Sequence, residues 1–177
     1  MTETIIFTAM KIREATNADI PAIMEVIVEV VPLMRASGNL QWDASYPNPA
    51  VFAEDIAASQ LWVAEIDGAI AGLSAITTEQ YPEYADVGLD INETAIVTHR
   101  LAVSPRYRGK GIAAALMQQA EKIATERGIN TLRVDTNSAN EATRKLFPKI
   151  GYQFVGEMSL HFRPGLRFYC YEKRLDQ

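Results

Sequence analysis

The stretch Arg106-Tyr107-Arg108-Gly109-Lys110-Gly111-Ile112-Ala113 decides how this chain of 177 residues is interpreted. It follows a predicted strand over 95–103 and the breaker pair Ser104-Pro105, and it leads into a predicted helix over 112–127. Glycines let the backbone approach a ligand closely, and the first N–H groups of a helix have no internal partner. The helix dipole adds positive charge at the same place. The stretch therefore predicts a site that binds phosphate groups.

The composition is that of an ordinary globular domain. Hydrophobic residues make up 48% of the chain and charged residues 22%, and 177 residues are enough for one domain with its own core. No apolar run is long enough to cross a bilayer, and no basic flank precedes the short apolar run Ile5-Ile6-Phe7. We therefore expect a cytoplasmic protein without a membrane span or a secretory signal, with residues 1–10 as an N-terminal extension and 11–175 as the folded domain. The single cysteine, Cys170, excludes an internal disulfide and a cysteine metal cluster.

The charges are divided unequally along the chain. Residues 1–93 carry 3 Lys/Arg and 15 Asp/Glu, a balance of −12, and residues 94–177 carry 14 and 7, a balance of +7. A basic half that contains a glycine turn suits a polyanionic cofactor, and an acidic half suits a cationic partner such as an amine; solvated faces without a role explain the split equally well. Nucleic acid is a poor partner, because the chain is acidic overall and has no interleaved basic and aromatic run.

The hydrophobic pattern predicts the element order β-α-α-β-β-β-α-β-α-β-β. Pro32 is expected to end or bend the first helix, and Asp67-Gly68 is a strong hairpin signal. The predicted strands are 11–15, 61–66, 69–77, 95–103, 130–135, 153–162 and 167–174, and the predicted helices are 18–31, 49–58, 112–127 and a last one capped by Asn137 or Asn140. This order predicts a single α/β (α+β) domain: a mixed, mostly antiparallel sheet of about seven strands with helices on both faces.

The motifs occur in an order that resembles the GNAT superfamily of acetyl-CoA-dependent N-acetyltransferases, over roughly residues 11–175. The run Leu101-Ala102-Val103-Ser104-Pro105, followed by Arg106-x-x-Gly109-x-Gly111, is similar to the family's acetyl-CoA signature. The segment from Asn140 to Tyr152 resembles its second CoA segment, and residues 12–20 resemble a common family start. Other phosphate loops fit less well, since the chain lacks both the P-loop run and the third glycine of a dinucleotide motif.

The resemblance implies acetyl-CoA as the cofactor and no metal. The N–H of Val103 would hold the oxyanion that develops on the thioester carbonyl, and the glycine turn would wrap the pyrophosphate. Arg106 and Arg108 would add charge unless they are plain surface cations, and Asn140 suits a helix N-cap as well as a pantetheine contact. The cofactor-binding residues that the resemblance implies are Leu101, Ala102, Val103, Arg106, Arg108, Gly109, Lys110, Gly111, Ile112, Ala113, Asn140, Arg144 and Phe147.

Acetyl transfer to an amine requires a neutral nitrogen, and therefore a group that takes up its proton. His99 is one candidate base: odd-numbered positions of a regular strand share a face, which would place His99 beside Leu101 and Val103, and an imidazole titrates in the right range. A buried histidine bonded to its neighbours is the alternative. Glu93 is a second candidate, as base or amine anchor through a water, or it is one more carboxylate of a solvated acidic loop.

The leaving thiolate also needs a proton. Many members of the family carry a tyrosine in the second CoA segment for this step, and here Phe147 occupies that position. Tyr152 is our predicted substitute, with Tyr169 and Tyr171 as alternatives, and departure of the thiolate unaided or with a proton from water is another. Phe147 also suits a core aromatic position.

By the same resemblance, Trp42, Asp43 and Tyr46 cover the acceptor site, as an aromatic wall and a carboxylate for a cationic amine. Trp42 equally suits core packing. Asp135 ends a predicted strand where ligand crevices commonly form, and it would either orient the substrate or brace the loop.

The resulting prediction is an enzyme that moves an acetyl group from acetyl-CoA to a primary amine by direct attack in a ternary complex. The expected partner is a small-molecule amine, and a homodimer formed through the last two strands stays open. The alternatives are a catalytically weak or inactive protein that binds or senses acetyl-CoA, and an N-acetyltransferase that acts on peptides or proteins.

Overall fold

The computed structural model describes residues 9–176, which form seven strands and four α-helices in the predicted order. The strands are β1 (Met10–Glu14), β2 (Leu61–Ile66), β3 (Ala69–Thr77), β4 (Ile96–Val103), β5 (Thr131–Asn137), β6 (Gln153–Met158) and β7 (Phe168–Arg174). The helices are α1 (Ile20–Ala36), α2 (Pro49–Ala57), α3 (Ile112–Glu126) and α4 (Glu141–Lys149). Met10, which we assigned to the extension, is thus the first residue of β1, and the rest of the predicted extension, apart from residue 9, lies outside the described residues.

All seven strands belong to one sheet, in the order β1-β2-β3-β4-β5-β7-β6. Neighbouring strands are antiparallel except β4 and β5, which are parallel. Asp67 and Gly68, both with positive φ (51° and 78°), join β2 to β3 in the two-residue turn that the sequence predicted. The prediction of a mixed, mostly antiparallel sheet is therefore confirmed.

Helices cover both faces of the sheet, as predicted. On one face, Ile23 of α1 and Phe52 of α2 pack with Leu73 and Ala102 of the sheet. On the other face, α3 and α4 bury their apolar stripes against β4 and β5; this second cluster includes Met117, Ile123, Phe147, Ile96 and Leu132. The core therefore has two layers with the sheet between them.

Helix α1 continues through Pro32 to Ala36, so of the two outcomes expected for Pro32 the end of the helix was wrong, and a bend stays a prediction. Proline removes the backbone hydrogen bond to the residue four positions earlier, which is Val28. Val28 is 68% exposed and Pro32 is exposed as well. The carbonyl group that loses its partner thus faces solvent, where water can bind it.

The connection between the last two strands is longer than the sequence indicated. β6 ends at Met158 and β7 begins at Phe168, whereas the predicted strands met across Arg163-Pro164-Gly165. Residues 159–167 therefore form a loop, and this loop contributes to the site described below.

None of the described helices is long and apolar enough to cross a membrane. Within residues 9–176, no group of three or more His, Cys, Asp or Glu side chains is arranged to hold a metal ion.

Candidate active site

A gap in the sheet separates the ends of β4 and β5. Their parallel ladder contains three residue pairs, and the last pair is Thr98 with Val134. Residues after these positions, beginning with His99 on β4 and Asp135 on β5, have no partner across the gap. A cavity of about 1030 Å³ opens there, and residues of α1, the starts of α3 and α4 and the loop 159–167 complete its wall.

A bulge in β4 lies beside this gap. His99 is in register with Ala75 of β3, and Ala102 is in register with Leu73. Between these two pairs β4 contains two residues and β3 contains one, so β4 has one extra residue. Arg100 within the bulge has a φ of 52°, in the left-handed region. An extra residue of this kind reverses the alternation of side chains along the strand.

The bulge corrects one expectation from the sequence. Because of its register with Ala75, His99 belongs to the face covered by α1, whereas Leu101 and Val103 pack with residues of the α3 side. The prediction that His99 shares a face with Leu101 and Val103 was therefore wrong, since it assumed a regular strand. All three residues still line the cavity.

The amide of Val103 is directed into the gap. The N–H of Ser104 donates to the carbonyl of Ala71 on β3, at 2.8 Å. Because successive residues of a strand direct their amides to opposite sides, the N–H of Val103 is directed away from β3 and toward the side where β5 no longer pairs. This donor is therefore placed to bind an oxygen atom inside the gap.

The glycine turn has the backbone conformation that its sequence indicated. Gly109 and Gly111 have φ values of 76° and 74°, and Gly111 is the N-cap of α3. A Cβ atom built on either residue meets nothing within 4 Å, so conformation rather than crowding favours glycine here. Both residues line the cavity together with Ile112 and Ala113 of the first turn of α3, whose N–H groups have no partner within the helix. These residues fit a pyrophosphate group.

Gly72 on β3 lets α3 approach the sheet at this point. A Cβ atom at Gly72 would lie 2.7 Å from Cγ2 of Ile112 and 3.0 Å from the carbonyl oxygen of Ala102. Gly72 thus fixes how closely the start of α3 lies to the gap. Sequence reasoning missed this residue because the crowding involves segments far apart in the chain.

The predicted cations divide into those inside and those outside the cavity. Arg108 lines it, but Arg106 forms an ion pair with Glu29 and Arg144 stacks on the ring of Tyr169 at 4.4 Å. Arg106 and Arg144 do not line the cavity, so the structure does not support their predicted contact with the cofactor. Lys110 does not line it either, and its predicted contact through the backbone N–H stays a prediction. Lys145, which sequence reasoning missed, does line it; its spacing of four residues from Glu141, another lining residue, was the available signal.

Asn140 and Phe147 combine the two roles that the sequence left open. The Asn140 side chain accepts a hydrogen bond from the N–H of Thr143 at 3.3 Å, which caps α4, and Asn140 also lines the cavity. Phe147 is buried against the ring of Tyr171, and it too lines the cavity. Asn140 is thus both an N-cap and a wall residue.

The three tyrosines considered as acids lie outside this cavity. The Tyr152 hydroxyl is buried and has no hydrogen-bond partner among residues 9–176, and burial raises its pKa well above the usual value. Tyr169 and Tyr171 line a separate, smaller pocket of about 470 Å³. The placement of Tyr152 thus does not support its predicted role as proton donor.

At the other end of the cavity, six side chains that line it form a connected group, which we call the aromatic cluster. It consists of Tyr46, Tyr81, His99, Arg100, Phe162 and Arg163. The ring centroid of Tyr81 lies 5.2 Å from those of His99 and Phe162. The guanidinium of Arg163 lies 4.9 Å from the ring centroid of Tyr46. Tyr81, Phe162 and Arg163 had no signal in the sequence.

His99 is neutral in this setting. Its Nε2 atom lies 3.0 Å from the carbonyl oxygen of Glu79, and because a carbonyl only accepts, Nε2 carries the hydrogen and Nδ1 has the free lone pair. Burial lowers the pKa of His99 to about 4. Burial also raises the pKa of Tyr81 well above its usual value, so this hydroxyl stays protonated.

Arg100 is held by Asp55 of α2. Two of its nitrogens donate to the two carboxylate oxygens, at 2.7 Å and 2.6 Å, and a third lies 3.4 Å from the Tyr46 hydroxyl. The side chains of Arg100 and Asp55 are only 15% and 9% exposed. Paired charges in this bidentate geometry hold the bulge of β4 against α2.

The carboxylates predicted for the site are engaged elsewhere or shielded. Glu93 binds Thr131 and Arg174, both at 2.6 Å, and does not line the cavity, so the structure does not support its predicted role as base. Asp43 likewise does not line the cavity. One of its oxygens accepts hydrogen bonds from the hydroxyl of Ser45 and from the N–H groups of Ser45 and Tyr46, which lowers the pKa of the carboxyl group.

Asp135 and Trp42 do line the cavity. Asp135 accepts a hydrogen bond from the Tyr84 hydroxyl at 2.6 Å, and burial raises its pKa to about 6. Trp42 is buried against the α1 cluster while one side forms cavity wall. Both of the roles considered for Trp42 are thus compatible with its place.

The comparison with known families decides the identity of the fold. The model of the Acetyltransferase (GNAT) family matches residues 30–152. This chain belongs to the GNAT family. The match covers the gap, the glycine turn and α4, and it therefore includes both predicted CoA segments but not residues 12–20.

Solved and curated GNAT proteins agree with this assignment. A GNAT acetyltransferase from Streptococcus agalactiae is 28% identical, with a TM-score of 0.81 over 95% of this chain and 96% of that one. The uncharacterized N-acetyltransferase YesJ of Bacillus subtilis is 28% identical over 84% of this chain and 91% of its own length. The N-acetylaspartate synthetase of Xenopus tropicalis is 27% identical over 61% of this chain, and the matched region covers only 36% of the length of that protein.

Proposed function

We propose that this protein transfers an acetyl group from acetyl-CoA to a primary amine by direct attack in a ternary complex. One observation carries the proposal: the glycine turn, the directed amide of Val103 and the aromatic cluster all line the same cavity. A phosphate-binding turn at one end and a polar, aromatic group at the other leave the sheet gap between them for the reacting atoms.

The residues that would hold acetyl-CoA are those of the turn and of the gap. Backbone N–H groups from Gly109 to Ala113 would bind the pyrophosphate, with Arg108 and Lys145 adding positive charge. The cofactor would supply an acetyl group activated as a thioester. The N–H of Val103 would stabilise negative charge on the carbonyl oxygen, which is where charge develops during acyl transfer.

The acceptor reacts through the lone pair of a neutral amine. Its nitrogen forms a bond to the acetyl carbon, the bond between that carbon and sulfur breaks, and the amine loses a proton. Nδ1 of His99 is a free proton acceptor in the cavity, although the low pKa makes it a weak base. We therefore expect that His99 is not the main base. The ammonium form of the acceptor would lose its first proton because the environment of the cavity favours the neutral amine.

A second candidate function is binding of acetyl-CoA with weak or no turnover. Phe147 cannot donate a proton, and the hydroxyl of Tyr152 is buried outside the cavity. Tyr81 favours turnover instead, because its hydroxyl is protonated and the residue lines the cavity beside His99.

Two measurements test the proposal. Calorimetry with acetyl-CoA should show micromolar binding, and a thiol-release assay with a panel of primary amines should show turnover that depends on the amine. Absence of acetyl-CoA binding at high micromolar concentration contradicts the proposal altogether. Binding with no amine-dependent release, unchanged in Phe147→Tyr, would favour the second candidate, and faster release in that variant would favour the enzyme.

A further inference from the structure

We propose that the acceptor is an amine that also carries a carboxylate, such as an α-amino acid, and that Arg163 binds this carboxylate. The inference rests on the acetyl transfer proposed above. It reverses the expectation drawn from the acidic half of the sequence, which pointed to an acceptor recognised by protein carboxylates.

The first argument is the state of the Arg163 guanidinium. The side chain is half-buried and lines the cavity, and its hydrogen bond among the described residues goes to the neighbouring carbonyl of Phe162, at 3.4 Å. No carboxylate of residues 9–176 lies within 4.0 Å of it. A guanidinium has five N–H donors, so most of the hydrogen-bonding capacity of Arg163 is free.

The second argument is its orientation. The guanidinium lies 4.9 Å from the ring centroid of Tyr46 and 5.7 Å from that of Phe162. Contacts with aromatic rings restrict the guanidinium while leaving its N–H groups available, and this fork matches a carboxylate in bidentate geometry. Arg100, the other guanidinium of the aromatic cluster, shows this geometry with Asp55 but is already neutralised by it.

The third argument is that the negative charges near Arg163 in the described part of the chain are already engaged. Asp43 attracts Arg163 through its charge, but its carboxylate accepts hydrogen bonds from Ser45 and Tyr46 and does not reach within 4.0 Å of the guanidinium. Asp135 is bonded to Tyr84, and Glu83 binds His161 at 2.6 Å. The acids of segment 78–93 do not line the cavity. A polyamine would therefore bring positive charge beside Arg163 without compensation, whereas a carboxylate would balance it.

The test compares L-α-amino acids with the amines left when each loses its carboxylate, for example methionine with 3-(methylthio)propylamine. Binding is measured by saturation-transfer NMR with CoA present, and turnover by release of the CoA thiol from acetyl-CoA. The variants are Arg163→Ala, Arg163→Lys and, as a matched control, Arg167→Ala. Arg167 follows in the same loop, is half exposed and pairs with Glu157 outside the cavity.

Amino acids should bind and react, and their decarboxylated partners should not. Arg163→Ala should raise the KM for the amino acid about 10- to 100-fold and abolish its saturation-transfer signal, with acetyl-CoA affinity unchanged by calorimetry. The KM of Arg163→Lys should lie between those of the wild type and Arg163→Ala, because lysine keeps the positive charge but cannot donate two parallel N–H groups. The KM of Arg167→Ala should match that of the wild type.

The outcomes separate the two proposals. If acetyl-CoA binds and decarboxylated amines, polyamines or peptides react as well as amino acids, acetyl transfer stands and the carboxylate inference is overturned. The same holds if Arg163→Ala leaves the KM within twofold, or if no amino acid binds while acetyl-CoA does. If acetyl-CoA itself does not bind, both proposals fail.

Discussion

The two ends of the cavity are built in opposite ways. The end with the glycine turn, which we propose binds phosphate and call the phosphate end, is formed mainly by residues of one continuous segment, 107–114. Its shape is set by two glycines with positive φ. The aromatic cluster is made by side chains from four separate segments, which meet around the bulge of β4. The first end can stay constant while its surroundings change, whereas each contact at the second end depends on a different part of the chain.

The largest expected effect concerns the support of the aromatic cluster. Asp55→Ala should lower the free energy of unfolding by about 3 kcal/mol, because it leaves the largely buried Arg100 without its partner. Urea unfolding measures this. Glu29→Ala is the matched control: it removes an ion pair to the 70% exposed side chain of Arg106, which water screens, and it should cost much less stability than Asp55→Ala.

The double variant Arg100→Met/Asp55→Leu should recover much of the stability lost in Asp55→Ala, since it removes both charges. A loss in Asp55→Ala no larger than in Glu29→Ala would show that the bulge does not depend on α2. The aromatic cluster would then be as self-contained as the glycine turn.

The next effect tests the phosphate end. Gly111→Val should weaken acetyl-CoA binding about 10- to 100-fold, because a β-branched residue disfavours positive φ and the N–H groups at the start of α3 would shift. Gly88→Val is the matched control, since Gly88 has a φ of 84° and open space around its Cα but does not line the cavity.

Calorimetry on both variants separates strain from binding. Gly88→Val should carry a similar stability cost, about 1–2 kcal/mol, with affinity within twofold of the wild type. Equal loss of affinity in the two variants would mean that the turn acts through stability alone, and the local character of the phosphate end would be refuted.

A smaller effect is expected where α3 meets the sheet. Gly72→Ala should cost about 1–2 kcal/mol in stability and also reduce acetyl-CoA affinity, because the new methyl group meets Ile112 and the backbone of Ala102. Gly156→Ala is similarly crowded, 2.8 Å from Cγ1 of Val87, but lies away from the cavity. It should lose stability and keep its affinity. A Gly72→Ala variant with normal affinity would show that the turn tolerates displacement of α3.

The smallest effect concerns the protonation of His99. The chain has two histidines, so imidazole signals followed by NMR can be assigned with His161→Gln. The His99 signal should titrate near pH 4 rather than 6.5, since burial disfavours the charged ring. Titration near 6.5 would mean that the aromatic cluster is open to water.

The lowered pKa of His99 also determines how this residue makes the free energy of unfolding depend on pH. Between pH 6.5 and about 4 the unfolded chain binds the proton of His99 and the folded chain does not, so this residue makes stability fall as the pH is lowered through that range. His99→Gln should flatten the fall in urea midpoints over those pH values. A slope unchanged from the wild type would contradict the shifted pKa.

The unequal success of sequence reasoning follows from the same comparison. The strands 61–66 and 69–77, the Asp67-Gly68 turn and the glycine turn were predicted with their observed bounds, because each depends on neighbouring residues. Periodicity also gave the order of the elements and the helices on both faces.

What the sequence did not provide depends on distant contacts. A regular alternation placed His99 on the wrong face, because nothing in residues 95–103 marks the extra residue at Arg100. Glu93 was considered a base although it binds Arg174, which is 81 positions away in the chain. Tyr81 and Arg163 had no motif, since they reach the cavity only when β3, β4 and the loop 159–167 are assembled.

The short ladder between β4 and β5 has a mechanical consequence. The β4–β5 ladder has three residue pairs, fewer than any other pair of neighbouring strands in the described sheet. It connects two antiparallel ribbons, β1 to β4 and β5 to β7. A ligand bound in the gap would contact both ribbons. Its contacts would take the place of the hydrogen bonds that β4 and β5 do not form there. Ligand binding should thus lock the two halves of the domain together and raise the temperature at which they separate.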